Sequence, residues 1–209
     1  MTINPSQFPK IELPAGKVLA RLGYASGKTK IDSKIKEILD EEIAVAGKLI
    51  APRQVQAFSK IALADGLKIS LEPCFSIESR DIFKLLDGCA QAAGFAVTIG
   101  PALELKRDAY LKDKETTRAL VLDAAGSVAA EELAAITNRQ IAESAEKNGM
   151  LCTRRFSPGY GDWAIASQKD FLEWLGAAQI GIKLSDHFEM APEKSVSAII
   201  GLKLRVQST

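Results

Sequence analysis

The chain has 209 residues with 27 basic and 26 acidic side chains, so its formal net charge is only +1. That balance argues against a general nucleic-acid binder, which carries a basic excess. The mix of 47% hydrophobic and 25% charged residues is that of an ordinary globular protein, long enough for one large domain or two small ones. The opening stretch MTINPSQFPKIELPAG lacks the long apolar run of a signal peptide, and no segment approaches the length of a membrane span. Three widely spaced cysteines, Cys74, Cys89 and Cys152, fit a reducing cytoplasm and lay out neither a zinc site nor a disulfide framework. Cys89 reads as a small buried apolar residue rather than a metal or redox group. The single histidine, His187, excludes a histidine-based metal cluster. The expectation is a cytoplasmic protein with no membrane, nucleic-acid or metal partner.

In chain order, residues 1–16 read as an extended, proline-containing tail. Lys17 to Tyr24 is a short apolar run with the look of a helical turn, followed by a loop over Ala25–Lys30. Ile35, Ile38, Leu39, Ile43, Ala46, Leu49 and Ile50 recur at helical spacing, with Asp32 or Ser33 as cap and Pro52 just past the end. Val55–Leu63 and Leu67–Leu71 form a hairpin about Asp65-Gly66. Ser79–Leu86 suits a short helix, and Gly94–Gly100 a buried strand leading through Pro101 into a helix towards Leu111. The longest helix covers Lys114–Lys147, with a candidate bend at Gly126-Ser127 and a stop at Asn148-Gly149. Its apolar stripe is Leu120, Ala124, Val128, Leu133, Ile136 and Ile141, and its small residues permit close packing. Glu131 and Glu132 can set a carboxylate near a cationic sulfur, or serve only as surface charges. Met150–Phe156 is strand-like. Ser167 is placed to cap a helix carrying Phe171, Leu172, Trp174 and Leu175, with Asp170 in the capping-box position. Ile180–Leu184 and Val196–Val206 complete the strands. With no internal repeat and no linker, residues 1–209 read as one α+β domain, a largely antiparallel twisted sheet with packed helices.

One stretch stands apart: Arg154-Arg155-Phe156-Ser157-Pro158-Gly159-Tyr160-Gly161-Asp162-Trp163. Pro158-Gly159 signals a turn, and the glycines either side of Tyr160 let the backbone approach a ligand. Arg155 offers a fork of donors suited to a carboxylate. Tyr160 and Trp163 offer faces for an adenine ring or a cationic sulfur. The alternative is a surface turn whose aromatics close the edge of a core. No Ser-His-Asp, Cys-His or paired-histidine pattern accompanies the stretch, so no catalytic residue is assigned.

The string R-x-x-x-G-Y, Arg155 to Tyr160, resembles the S-adenosylmethionine-binding motif of the activation domain of cobalamin-dependent methionine synthase. RFSPGYGDW is similar to the version in small stand-alone bacterial proteins of that family. Met190-Ala191-Pro192-Glu193-Lys194-Ser195-Val196-Ser197-Ala198-Ile199-Ile200-Gly201 adds a second resemblance, and LARLGY (19–24) and FAVTIGPALE (95–104) add weaker ones. The resemblance implies S-adenosylmethionine as ligand, held at Arg155, Ser157, Pro158, Gly159, Tyr160 and Gly161. It covers the activation module alone. Cobalamin would therefore be met only through a partner, a corrinoid-binding protein such as a methionine synthase lacking this domain, with an electron donor alongside. The implied role is reductive remethylation of that cobalamin in a methyltransferase system of methionine biosynthesis. The alternative is a structural or regulatory partner that keeps the fold without the ligand. Two departures bear on that choice: Ile200 stands where the family has a ligand-contacting tyrosine, and Ala135 near its ligand-binding glutamate.

Overall fold

The computed structural model describes residues 2–3, 11–24, 31–65, 67–72 and 75–205. The expected loop at Ala25–Lys30, Gly66 of the hairpin turn, Cys74, Val206 and all of the tail between residues 4 and 10 lie outside these residues. The described chain starts with strand β1 (Thr2–Ile3), helix α1 (Ala15–Arg21) and helix α2 (Ser33–Leu49). The carboxylate of Asp32 accepts from the Lys34 N–H at 3.0 Å and caps α2. A hairpin follows, β2 (Arg53–Asp65) and β3 (Lys68–Leu71), and then β4 (Phe75–Glu78), a strand too short to announce itself by periodicity. Helix α3 (Arg80–Leu86) is capped by Ser79, whose hydroxyl oxygen accepts from the Ile82 N–H. After β5 (Gln91–Thr98) come α4 (Ala102–Lys112) and α5 (Thr116–Lys147). Lys114, expected to open the long helix, instead takes a left-handed φ of 62° and breaks α4 from α5. From there α5 runs uninterrupted through Gly126-Ser127.

The remaining elements are β6 (Met150–Cys152), α6 (Gln168–Leu175), β7 (Lys183–Leu184), β8 (Met190–Ala191) and β9 (Ser195–Leu204). Two expectations change here. Ser167 does not cap α6: it ends a 3-10 turn (Ile165–Ser167), already has helical angles, and its side chain makes no capping bond. The stretch from Ile180 is mostly not strand, because a 3-10 turn occupies Ala177–Ile180 and leaves only Lys183–Leu184 extended.

The main sheet runs β4-β3-β2-β5-β9-β6, with β1 also on β2, and every pairing is antiparallel. β7 and β8 form a separate two-stranded ribbon. Side chains alternate between the faces of a strand, and that alternation builds two cores. Ala93, Phe95 and Val97 of β5, with Ala198, Ile200 and Leu202 of β9, face a layer of α1, α2, α4 and α5. Ala92 and Ala96, with Ile199, face the opposite layer of α3, α6 and the loop ending at Trp163. The small residues of α5 permit the first layer's closeness: a Cβ on Gly126 would lie 2.8 Å from Leu103 of α4. Leu120, expected on the apolar stripe, is instead 56% exposed, one turn from the start of α5. A buried polar cluster locks α5 to α2: Glu42, fully inaccessible, accepts from Arg118 at 2.6 Å and from the Tyr110 hydroxyl at 3.1 Å.

Candidate functional site

The stretch from Arg154 to Trp163 is held at three points. First, Phe156 makes an isolated bridge to β9, its N–H donating to Ile199 O at 2.9 Å and its carbonyl accepting from the Ile199 N–H at 2.8 Å. The Ser157 hydroxyl adds a bond to Ser197 O at 2.6 Å. Second, Asp162 docks on the start of α3, accepting from the Ser79 hydroxyl at 2.5 Å, Arg80 N–H at 2.9 Å and Asp81 N–H at 3.1 Å. Those bonds, from Ser79 first and then from Asp81 and Arg80, hold its carboxyl below the usual carboxylate range. Third, Trp163 is plugged into the second core at 1% exposure, edge-on to Phe171 with ring centroids 5.3 Å apart. Trp163 therefore offers no face to a ligand, contrary to the sequence expectation. Its apolar bulk is taken by an aromatic cluster that α6 brings from later in the chain.

Between these anchors the backbone turns tightly, with Gly159 N–H donating to Trp163 O at 2.8 Å. Gly159 and Gly161 have φ of 87° and 54°, in the region glycine enters without strain. A Cβ on Gly161 would fall 2.1 Å from the Asp81 carboxylate. The turn pushes Tyr160 outward, where it is 69% exposed.

The loop forms one wall of a cleft of about 600 Å³, within the range usual for small-molecule sites. Arg154–Pro158 and Tyr160 line it, as do Ile165 and Gln168 at the start of α6, the turn His187–Met190 of the small ribbon, Ser195–Ser197 of β9, and Glu131 of α5. Of the sequence-derived candidates, Arg155, Ser157, Pro158 and Tyr160 line this cleft. Gly159 and Gly161 do not; they shape the loop behind it. The residues from the ribbon and from β9 were not named as site residues from the sequence, although Met190 and those of β9 lie inside the MAPEKSVSAIIG string.

The electrostatics centre on one pair. Arg155 Nη2 donates to Glu131 at 2.6 Å, and Arg155 Nη1 is buried without a hydrogen-bond partner. Arg154 instead lies over the Phe156 ring, 5.5 Å from its centroid. Behind the Arg155–Glu131 pair is a shallower hollow of about 410 Å³ between α1 and α5, which includes Ala135, one turn beyond Glu131. Ile200 is fully buried in the helical-layer core and lines neither hollow.

Between the cleft-lining residues Met190 and Ser195, the MAPEKS segment is tied to α4 and α5 through ions. Glu193 takes both terminal nitrogens of Arg107, at 2.6 and 3.0 Å, and Lys194 donates to Asp123 at 2.8 Å and to Ser127 at 3.0 Å. The Arg107 hydrogen bonds hold the Glu193 carboxyl below its ordinary range. Burial would raise Asp123, but bonds from Lys194 and Arg107 outweigh it and bring that carboxyl down as well. Cys89 and Cys152 are half-buried free thiols, pushed up chiefly by burial. Among the described residues no group of three or more His, Cys, Asp or Glu is arranged to hold a metal, and no helix is long and apolar enough to cross a membrane.

No protein-family model matches the chain, and no curated protein does. Among solved structures, it is similar to the crystal structure of the MetH reactivation domain bound to AdoHcy. The TM-score is 0.70 at 15% sequence identity, over 100% of this chain and 79% of that one. At that identity the likeness is one of fold, and it supports the α+β architecture described above.

Proposed function

We propose, from the premise that this chain has the fold of the MetH reactivation domain, that it binds S-adenosylmethionine and supports reductive remethylation of cobalamin on a separate corrinoid protein. The observation that carries this reading is the cleft. It lies where the Arg155–Tyr160 loop meets β9, on a fold whose solved relative is bound to AdoHcy. Arg155 is the donor suited to the ligand's carboxylate. With Nη1 buried, that carboxylate is taken at the Nε–Nη2 edge, where it competes with Glu131, which lies close enough to face the ligand's cationic groups. Tyr160 stands exposed at the rim, where a partner has to come close for the methyl group to be passed. The reduced cobalt on the partner is the methyl acceptor, and an electron donor supplies the reduction. The work of this chain is proximity and orientation, which needs no acid or base of its own.

A second reading has a specific observation behind it. Glu131 already satisfies part of Arg155, as it would in a structural or regulatory partner that has given up the ligand. Calorimetry with S-adenosylmethionine separates the two. On the first reading the wild-type chain binds, and Arg155→Ala, which removes one charge-assisted contact of roughly 1.5–3 kcal/mol, weakens binding about ten- to hundredfold. No binding by the wild type, or equal affinity in the variant, rejects it. The partner step is tested by mixing the chain with S-adenosylmethionine, a reductant and a corrinoid protein, and following methylcobalamin by its absorbance. Equal rates with and without the chain would refute the remethylation role.

A further inference from the structure

The turn joining β7 to β8 contains a residue in an unfavourable conformation. Phe188 has φ of 62°, a left-handed angle that a bulky side chain without a short polar group rarely adopts. The turn holds it there from both sides. Ser185 Oγ accepts from the N–H groups of His187 at 3.2 Å and Glu189 at 3.1 Å. Phe188 N–H donates to Ser185 O at 3.0 Å, and Ser185 N–H donates to Glu189 O at 2.9 Å. A glycine at 188 would accept this geometry without strain. Instead the position carries a ring, half-buried on the wall of the 600 Å³ cleft that Arg155 also lines.

Strain that surrounding hydrogen bonds enforce is concentrated at ligand clamps. The other aromatic groups near the cleft are differently employed. Trp163 is consumed by the core, Phe156 lies under the Arg154 guanidinium, and Tyr160 is mostly exposed on the rim. We propose that Phe188 is the specificity-determining residue for the base end of the ligand, its ring packing against the heteroaromatic ring of a nucleoside by offset stacking. The inference rests on the reading that the cleft binds an S-adenosyl compound, and it assigns the two ends of that ligand: the amino-acid end to Arg155, the base end to Phe188.

The test compares Phe188→Leu, which keeps bulk without an aromatic face, Phe188→Tyr, which keeps the face, and Phe188→Gly, which relieves the strained angle. The probes are S-adenosylhomocysteine and adenosine, measured by calorimetry together with thermal melts. The expected result has three parts. Phe188→Leu and Phe188→Gly lose at least fivefold in affinity for both probes. Phe188→Tyr stays within twofold of wild type. Phe188→Gly melts no lower than wild type. Arg155→Ala is expected to lose more affinity for S-adenosylhomocysteine than for adenosine, which has no carboxylate. If the wild type binds S-adenosylhomocysteine and Phe188→Leu binds it equally well, the assignment of Phe188 is overturned while the ligand reading stands. A lower melt for Phe188→Gly with unchanged affinity in Phe188→Leu likewise overturns it, giving the residue to folding. If the wild type binds neither probe, the ligand reading itself fails and takes this inference with it.

Discussion

Gly161→Ala tests whether the loop is held by the contacts that surround it. Two separate costs follow from the structure. The backbone at Gly161 has φ of 54°, and an L-residue in that region costs about 1–2 kcal/mol. The new methyl would also sit 2.1 Å from Asp81 Oδ2 and 3.2 Å from the Phe156 ring. The carboxylate can swing away, but it then surrenders the bond it accepts from Asp162 N–H at 3.3 Å, worth roughly 0.5–1.5 kcal/mol. Together the loss is about 2–3 kcal/mol, or about 5–10 °C in Tm for a chain of this length. Gly149→Ala provides the control: its φ of 69° imposes the same backbone cost, and nothing lies within 4 Å of the added methyl. That variant is expected to lose only this backbone cost, about 1–2 kcal/mol. Urea denaturation of both variants measures the difference. If Gly161→Ala proves no less stable than Gly149→Ala, the close approach of Gly161 to Asp81 contributes nothing, and that part of the account of how the cleft wall is held is wrong.

Two other outcomes are expected. Arg118→Met should cost about 2–4 kcal/mol in urea denaturation, because it leaves the buried Glu42 carboxylate with the Tyr110 hydroxyl alone, and Glu42→Leu combined with it should recover most of the loss. A single variant no worse than the double one would refute the account of Arg118 as the partner that offsets the burial of Glu42. Arg107→Met should lower Tm at neutral pH but not near pH 2. The depressed Glu193 and Asp123 carboxyls give stability that is complete above the ordinary carboxylate pKa of about 4 and is lost as pH falls through their lowered folded values. A gap between variant and wild type that persists unchanged at low pH would refute this.

The regular elements were legible where one pattern sufficed. The apolar positions from Ile35 to Ile50 and the Asp32 cap define α2 almost to the residue, and the apolar runs of β5 and β9 read as strands because both their faces are covered. The loop from Arg154 to Trp163 was visible by composition alone. What composition does not carry is which of its aromatic rings the core will take. Trp163 is buried because Phe171 arrives from α6, and Tyr160 is exposed because Gly159 and Gly161 turn it out. Pairings across long separations were equally silent: Asp162 caps a helix about eighty residues earlier, and Glu131 meets Arg155 from the middle of another helix. Ser167 misled because a capping residue and the end of a 3-10 turn look alike in sequence. The angle at Phe188 had no signal, since the residue type argues against it.

The division of aromatic residues between the two cores has an optical consequence. The chain has two tryptophans, and both belong to the layer of α3 and α6: Trp163 against Phe171, and Trp174 stacked on Phe75 at 5.4 Å and on Phe171 at 5.7 Å. The layer of α1, α2, α4 and α5 contains neither, its buried aromatics being Phe95 and Tyr110. Indole emission therefore reports from one side of the sheet only, while far-ultraviolet dichroism is weighted towards the long helices on the other. Recorded together during one denaturant titration, the two signals separate loosening of the loop-bearing layer from loss of the helical layer. Trp163, two residues beyond Gly161, is an intrinsic reporter on the wall of the cleft and needs no added label.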